Sequence, residues 1–98
     1  SGVVESVQAN QNARTGINVT SGVVRDSIAR DNGQVGILLN VGSVQRNVLN
    51  HNPIGLSADS STSYSGNAFN FNGANISGPG LNTGQNLCEN IICPGAQY

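Results

Sequence analysis

Ninety-eight residues bound this chain to one domain at most. Only 37% are hydrophobic, and Trp and Met are absent, so an ordinary compact globule of this size would be marginal. The net charge is −1, and the four Arg are scattered with no Lys, which excludes nucleic-acid binding through a basic patch. No apolar run reaches transmembrane length and no signal peptide is recognisable, so membrane insertion is not expected. The abundance of Asn, Gly and Ser would suit a disordered chain. Charged residues are only 9%, however, and Val and Ile recur at regular places. A repeat scaffold reconciles these facts, because stacked neighbours bury one continuous narrow core.

In chain order the repeat falls into four rows of about twenty residues. They are SGVVESVQANQNARTGINVT (1–20), SGVVRDSIARDNGQVGILLN (21–40), VGSVQRNVLNHNPIGLSAD (41–59) and SSTSYSGNAFNFNGANISGPG (60–80). Val4, Val24, Val44 and Tyr64 align as one apolar column. Ala9, Ala29, Leu49 and Phe69 form a second; Ile17, Ile37, Leu56 and Ile76 form a third. Val19, Leu39, Ala58 and Gly78 form a weaker fourth. The consensus is V-x-x-[N/S]-x-[apolar]-x-x-N…G-I-x-[apolar]. Each piece alternates as a half-buried strand does, and no useful length shows helical periodicity.

We therefore expect three short strands per coil, with Asn and Gly at the turns because both tolerate positive φ. The fold class is all-β: a right-handed parallel β-helix of about four coils. The handedness follows from the default for parallel crossovers and from the lack of a hexapeptide period. Asn12, Asn32, Asn52 and Asn72 occupy one position in every row. Coils about 4.8 Å apart would stack these amides into a hydrogen-bonded ladder. The competing reading is that they only mark exposed turns.

The stretches R46-N-V-L-N-H-N52 and G66-N-A-F-N-F-N72, with the G-I and G-L pairs at Gly16, Gly36 and Gly55, resemble the N-x-[I/L/F]-x-x-N repeat of bacterial right-handed parallel β-helix proteins. The likeness covers residues 1–78. The tail G84-Q-N-L-C-E-N-I-I-C-P94 is similar to a C-terminal ending of some of these exported chains. The resemblance implies the fold and a secreted or cell-surface location. It implies little about function, since the superfamily spans polysaccharide lyases and hydrolases, adhesins and tailspikes.

Residues 81–98 read as a C-terminal capping loop. Cys88 and Cys93 flank an apolar stretch, and a disulfide between them is the simplest reading. A metal site would need more ligands than two thiols, and His51 falls in a distant coil, so no metal or cofactor is expected. Leu81, Leu87, Ile91 and Ile92 are expected to fold over the open end of the core, which would otherwise expose unpaired edges.

On the outward columns, Glu5 should stack near Arg25, Asp26 near Arg46, and Asp31 near His51. A catalytic Asp–His pair is the sharper interpretation of the last. Surface pairing along the stack is the plainer one, and we adopt it. Glu5, Asp26, Asp31, Asp59 and Glu89 share no short motif of the paired-carboxylate kind that glycoside hydrolysis needs. The sequons at Asn18 and Asn75 read as chance matches in an Asn-rich chain.

The expected function is a non-enzymatic structural or binding module, the capped C-terminal segment of an exported β-helix. It would associate through its open N-terminal coil with a second copy, or stack on upstream coils. The alternative is a polysaccharide-binding or polysaccharide-cleaving module using Tyr64, Phe71 or Tyr98 as stacking platforms.

Overall fold

The computed structural model describes residues 2–89 and 91–93. Pro94, Tyr98 and the end of the expected 81–98 cap lie outside the described residues. The chain is all-β, and among the described residues there is no helix. The strands are β1 (Val3–Glu5), β2 (Gln8–Asn10), β3 (Thr15–Arg25), β4 (Ile28–Arg30), β5 (Val35–Gln45) and β6 (Val48–Asn50). They continue as β7 (Ile54–Ser65), β8 (Ala68–Asn70), β9 (Ala74–Ser77), β10 (Leu81–Gly84), β11 (Leu87–Cys88) and β12 (Ile91–Ile92).

Two sheets run along the stack. One is ordered β1-β3-β5-β7-β10, with β9 also on β7; the other is β2-β4-β6-β8-β11-β12. Every pairing is parallel except β11 with β12. The result is a parallel β-solenoid of about four turns.

The predicted columns are the actual ladders. Val4 pairs with Val24, Val24 with Val44, and Val44 with Tyr64. Ala9, Ala29, Leu49 and Phe69 follow one another in the second sheet. Ile17, Ile37, Leu56 and Ile76 do so in the first. Val24, Val44, Ala29, Leu49, Phe69, Ile37, Leu39 and Leu56 are fully buried, forming one thin core between the sheets. Each aliphatic group removed from water contributes about 1.5–3 kcal/mol. Stacking like on like therefore compensates for the low apolar content.

Three details differ from the sequence reading. First, a coil holds one short and one long strand, not three short ones. The expected third strand of one coil and first strand of the next are continuous, as in β3 and β5. They pass through Gly22 and Gly42, at φ 143° and 140°. Positive φ there reorients the strand without ending its pairing.

Second, the left-handed turns use few Gly and no Asn: Gly66, at φ 67°, is the one Gly of the corner columns among the described residues. The left-handed corner positions are Ser6, Asp26 and Arg46 in one column and Gln11, Asp31, His51 and Phe71 in another, with φ between 52° and 59°. Each ladder residue directly follows such a corner. A non-Gly residue in this region costs about 1–2 kcal/mol, so the neighbouring hydrogen bonds must hold it.

Third, Gly16, Gly36 and Gly55 are needed for space rather than for φ. A Cβ on Gly36 would lie 2.6 Å from the Gly55 carbonyl oxygen and 2.8 Å from Asn52 Nδ2. On Gly16 it would lie 2.6 Å from Asn32 Nδ2. These glycines make room for the ladder amides.

Coil three loses a residue at the turn holding Pro53 and regains it at the β-bulge opposite Leu39–Val41. The ladder spacing of 20 residues is thereby kept from Asn52 to Asn72. In coil four, Gly78-Pro79-Gly80 splits the long strand into β9 and β10. Pro79 has no N–H to offer the ladder.

At the C-terminal end, β10 stacks on β7 and β11 on β8, so residues 81–88 extend the solenoid as a partial further coil. Leu81, Leu87, Ile91 and Ile92 do not fold over the core end as expected. They are 44%, 44%, 66% and 54% exposed. The strand alternation that turns Cys88 inward turns Leu87 outward, and the returning β12 presents its side chains to solvent.

Candidate functional site

The predicted ladder exists, and its polarity is uniform. In each rung the backbone N–H and Nδ2 of one Asn donate to Oδ1 of the Asn in the next coil. The Nδ2–Oδ1 distances are 2.9 Å for Asn12–Asn32, 2.9 Å for Asn32–Asn52 and 3.2 Å for Asn52–Asn72. Nδ2 also donates to a core-strand carbonyl: Asn32 to Ala9, Asn52 to Ala29 and Asn72 to Leu49. Asn32 and Asn52 are buried, whereas Asn12 at the outer rung is exposed.

A second ladder was not anticipated. Ser27 N–H donates to Asn47 Oδ1, and the N–H and Nδ2 of Asn47 donate to Asn67 Oδ1. Asn67 repeats this with Asn86 at 3.0 Å. All four residues are buried. The signal stood in the consensus as its [N/S] position, three residues after the first apolar column. The ladder was missed there because Ser27 and Val7 interrupt the Asn identity.

Both ladders end on acceptors supplied locally. Asn72 Nδ2 donates to Asn75 Oδ1 at 3.2 Å, and Asn86 Nδ2 to Asn82 Oδ1 at 2.7 Å.

Cys88 and Cys93 form the expected disulfide, with Cα atoms 4.9 Å apart. Both join the buried core cluster below Phe69. A cavity of about 400 Å³ lies beside them, lined by Tyr64, Asn75, Ile76, Gly78 and Cys88. Burial raises the pKa of the Tyr64 phenol. Replacing both cysteines by Ala should cost about 2 kcal/mol for so short a loop. Hydrogen exchange should accelerate at residues 86–89, 91 and 92 and stay unchanged at Val24, Val44 and Leu49. Uniform acceleration would instead mean that this end nucleates the whole stack.

The outward charges behave as stack neighbours. Arg25 Nε lies 3.0 Å from Glu5 Oε2, and Arg46 Nε 3.0 Å from Asp26 Oδ1 with a second contact of 3.3 Å. The hydrogen bond from Arg46 holds the Asp26 carboxyl below its ordinary value of 3.8. Its contribution is therefore complete above that value and fades as pH falls through the lowered one. An Asp26→Asn variant should unfold at a slightly lower temperature than the parent near neutral pH. The two melting curves should converge on acidification; parallel curves at every pH would show that the pair adds nothing.

Asp31 and His51 occupy equivalent corners of neighbouring coils, as expected, but no hydrogen bond or ion pair joins their side chains. Asp31 faces Arg30 Nε at 3.9 Å, while the His51 ring stacks on Phe71 with centroids 5.1 Å apart. Phe71 is 71% exposed, whereas Tyr64 and Phe69 are buried in the columns predicted for them. Among the described residues, no group of three or more His, Cys, Asp or Glu is placed to hold a metal ion. Two shallow grooves lie along the long strands. One, of about 210 Å³, contains Asn40, Ser57 and Asp59; the other, of about 250 Å³, contains Ser60, Ser61 and Ser63.

Comparison with known proteins gives no relative. No family model, curated protein or solved structure matches the chain.

Proposed function

We propose that this chain is a non-enzymatic structural module, a segment of an exported β-solenoid. The observation that carries this is the use of the buried amides: Asn32, Asn47, Asn52 and Asn67 are held in two ladders that run along the stack. The polar groups support a structural role, because the amides build the stack and Glu5, Asp26 and Asp31 face arginines. The disulfide supports an oxidising, extracytoplasmic setting.

A second reading is polysaccharide binding at the exposed Phe71–His51 stack. An aromatic face flanked by Asn50 and Asn70 suits a sugar ring with apolar faces and hydroxyl edges. Incubation with pectin, alginate and other polysaccharides decides between the two. The structural reading expects neither products nor retention. Retention lost in Phe71→Ala would establish the second reading, and release of reducing or unsaturated ends would refute both as written.

A further inference from the structure

We propose that Asn72–Gly73 is a site of spontaneous modification in the folded chain. The Asn72 amide is lost there as ammonia and aspartate or isoaspartate remains, while the same dipeptide at Asn32–Gly33 is kept inert by the fold.

The two dipeptides follow from the stacking. The residues after the amides of the first ladder are Ala13, Gly33, Pro53 and Gly73. A Cβ on Gly33 would collide with the Ala13 carbonyl oxygen, and one on Gly73 would lie 2.7 Å from that of Pro53. Close stacking therefore demands glycine in these coils. It thereby sets an unhindered backbone N–H beside a side-chain amide. Pro53 has no N–H to lose, so Asn52 is barred from the same reaction.

Gly73 N, having given its proton to a solvent base, attacks Asn72 Cγ. The new N–Cγ bond closes a cyclic imide, the Cγ–Nδ2 bond breaks, and Nδ2 leaves as ammonia with a proton from water. Water then opens the imide at Cγ to give aspartate, or at the main-chain carbonyl to give isoaspartate. The oxygen that gathers charge during the attack is Oδ1. Asn52 N–H and Nδ2 already donate to it at 2.9 Å and 3.2 Å, the arrangement that stabilises an oxyanion.

Asn32 Oδ1 has equivalent donors in Asn12, at 3.1 Å and 2.9 Å, so the sites differ elsewhere. Asn32 is 3% exposed and has rungs on both sides, its Nδ2 donating to Asn52 Oδ1 in the next coil. Asn72 is half-buried, and its Nδ2 donates to the Leu49 carbonyl and to Asn75 Oδ1 in its own turn. Gly33 N and Gly73 N both donate to a neighbouring coil, to the Asn12 and Asn52 carbonyls, and must be released before they react. Release of Gly73 needs only a local opening of the turn at 72–75, whereas release of Gly33 parts rungs inside the stack. The product carboxylate offers no N–H to the Leu49 carbonyl or to Asn75 Oδ1 and places negative charge against both. Modification therefore loosens coil four.

The test is incubation of the folded chain in heavy-oxygen water at mildly alkaline pH, beside a sample in concentrated urea, with products located by peptide mass spectrometry. The folded chain should take up heavy oxygen at Asn72 and not at Asn32. In urea both should react at comparable rates, and Asn52 in neither sample. Folding should slow Asn32 by about a thousandfold or more, the lower end of folding equilibrium constants, and Asn72 far less. No product at Asn72 in the folded chain while the urea sample converts at both sites overturns the proposal, and so does equal product at Asn32 and Asn72. Asn72→Asp, which stands in for one product, should lower the urea midpoint. An unchanged midpoint overturns the loosening of coil four.

Discussion

Replacing Asn52 by Leu should unfold the chain or bring it close to unfolding. Asn52 is 2% exposed, and its side chain makes four hydrogen bonds to three residues. Its Oδ1 accepts from Asn32 N–H at 3.1 Å and Asn32 Nδ2 at 2.9 Å. Its Nδ2 donates to the Ala29 carbonyl at 3.0 Å and to Asn72 Oδ1 at 3.2 Å. Leu matches the volume roughly and satisfies none of these groups. Each buried group left without a partner costs about 1–3 kcal/mol. A loss of about 3–5 kcal/mol is therefore expected, comparable with the whole stability of a small domain. The same change at Asn12, exposed at the outer rung, should cost under about 1 kcal/mol because water replaces the lost partner. Urea midpoints of the two variants measure the contrast directly. Equal losses at Asn12 and Asn52 would show that the amides act as turn formers and not as a buried ladder.

The second large effect is expected at Gly42. Its φ of 140° is unfavourable for any side chain, and a Cβ there would overlap the carbonyl oxygen of Gly22 in the coil above. The obstacle is backbone inside a continuous ladder, so no rotamer change relieves it. Gly42→Ala should cost about 4 kcal/mol or more, the range reached by changes that combine strain with a backbone collision. Thermal unfolding by circular dichroism checks this. The next coil shows that the column is not closed to side chains in principle. Thr62 stands in register with Gly42, is buried, and donates its Oγ1 hydrogen to the Leu39 carbonyl at 3.0 Å. Coil three carries the bulge that changes its path just before that residue. Gly42→Ala with unchanged stability would mean that β5 can shift locally in the same way.

The exposed residues contribute through position rather than through energy. The Glu5–Arg25 and Asp26–Arg46 pairs link successive coils, but both lie in solvent and are screened. Stability resides in the columns and the two ladders. Coupling between coils is therefore nearest-neighbour, as expected of a solenoid.

What the sequence determined by itself was the periodicity, and periodicity is enough for register. Apolar identity at Val4, Val24, Val44 and Tyr64 can be read without coordinates because each coil buries the same face. The Asn12 column was legible for the same reason, and so was the Cys88–Cys93 pair, whose short separation limits the alternatives. Tertiary structure alone decided how each polar residue is used. Gly36 reads as a turn residue in the sequence although the Asn52 amide lies against it, since a close approach leaves no local signature. Corner strain falls on Asp26, His51 and Phe71, of which Phe71 has no intrinsic tolerance for it. The neighbouring coil imposes it through hydrogen bonds made 20 residues away. Leu87, Ile91 and Ile92 were misplaced because hydrophobicity says that a residue favours burial, while only the pairing of β11 with β8 and β12 says which side of the strand faces the core.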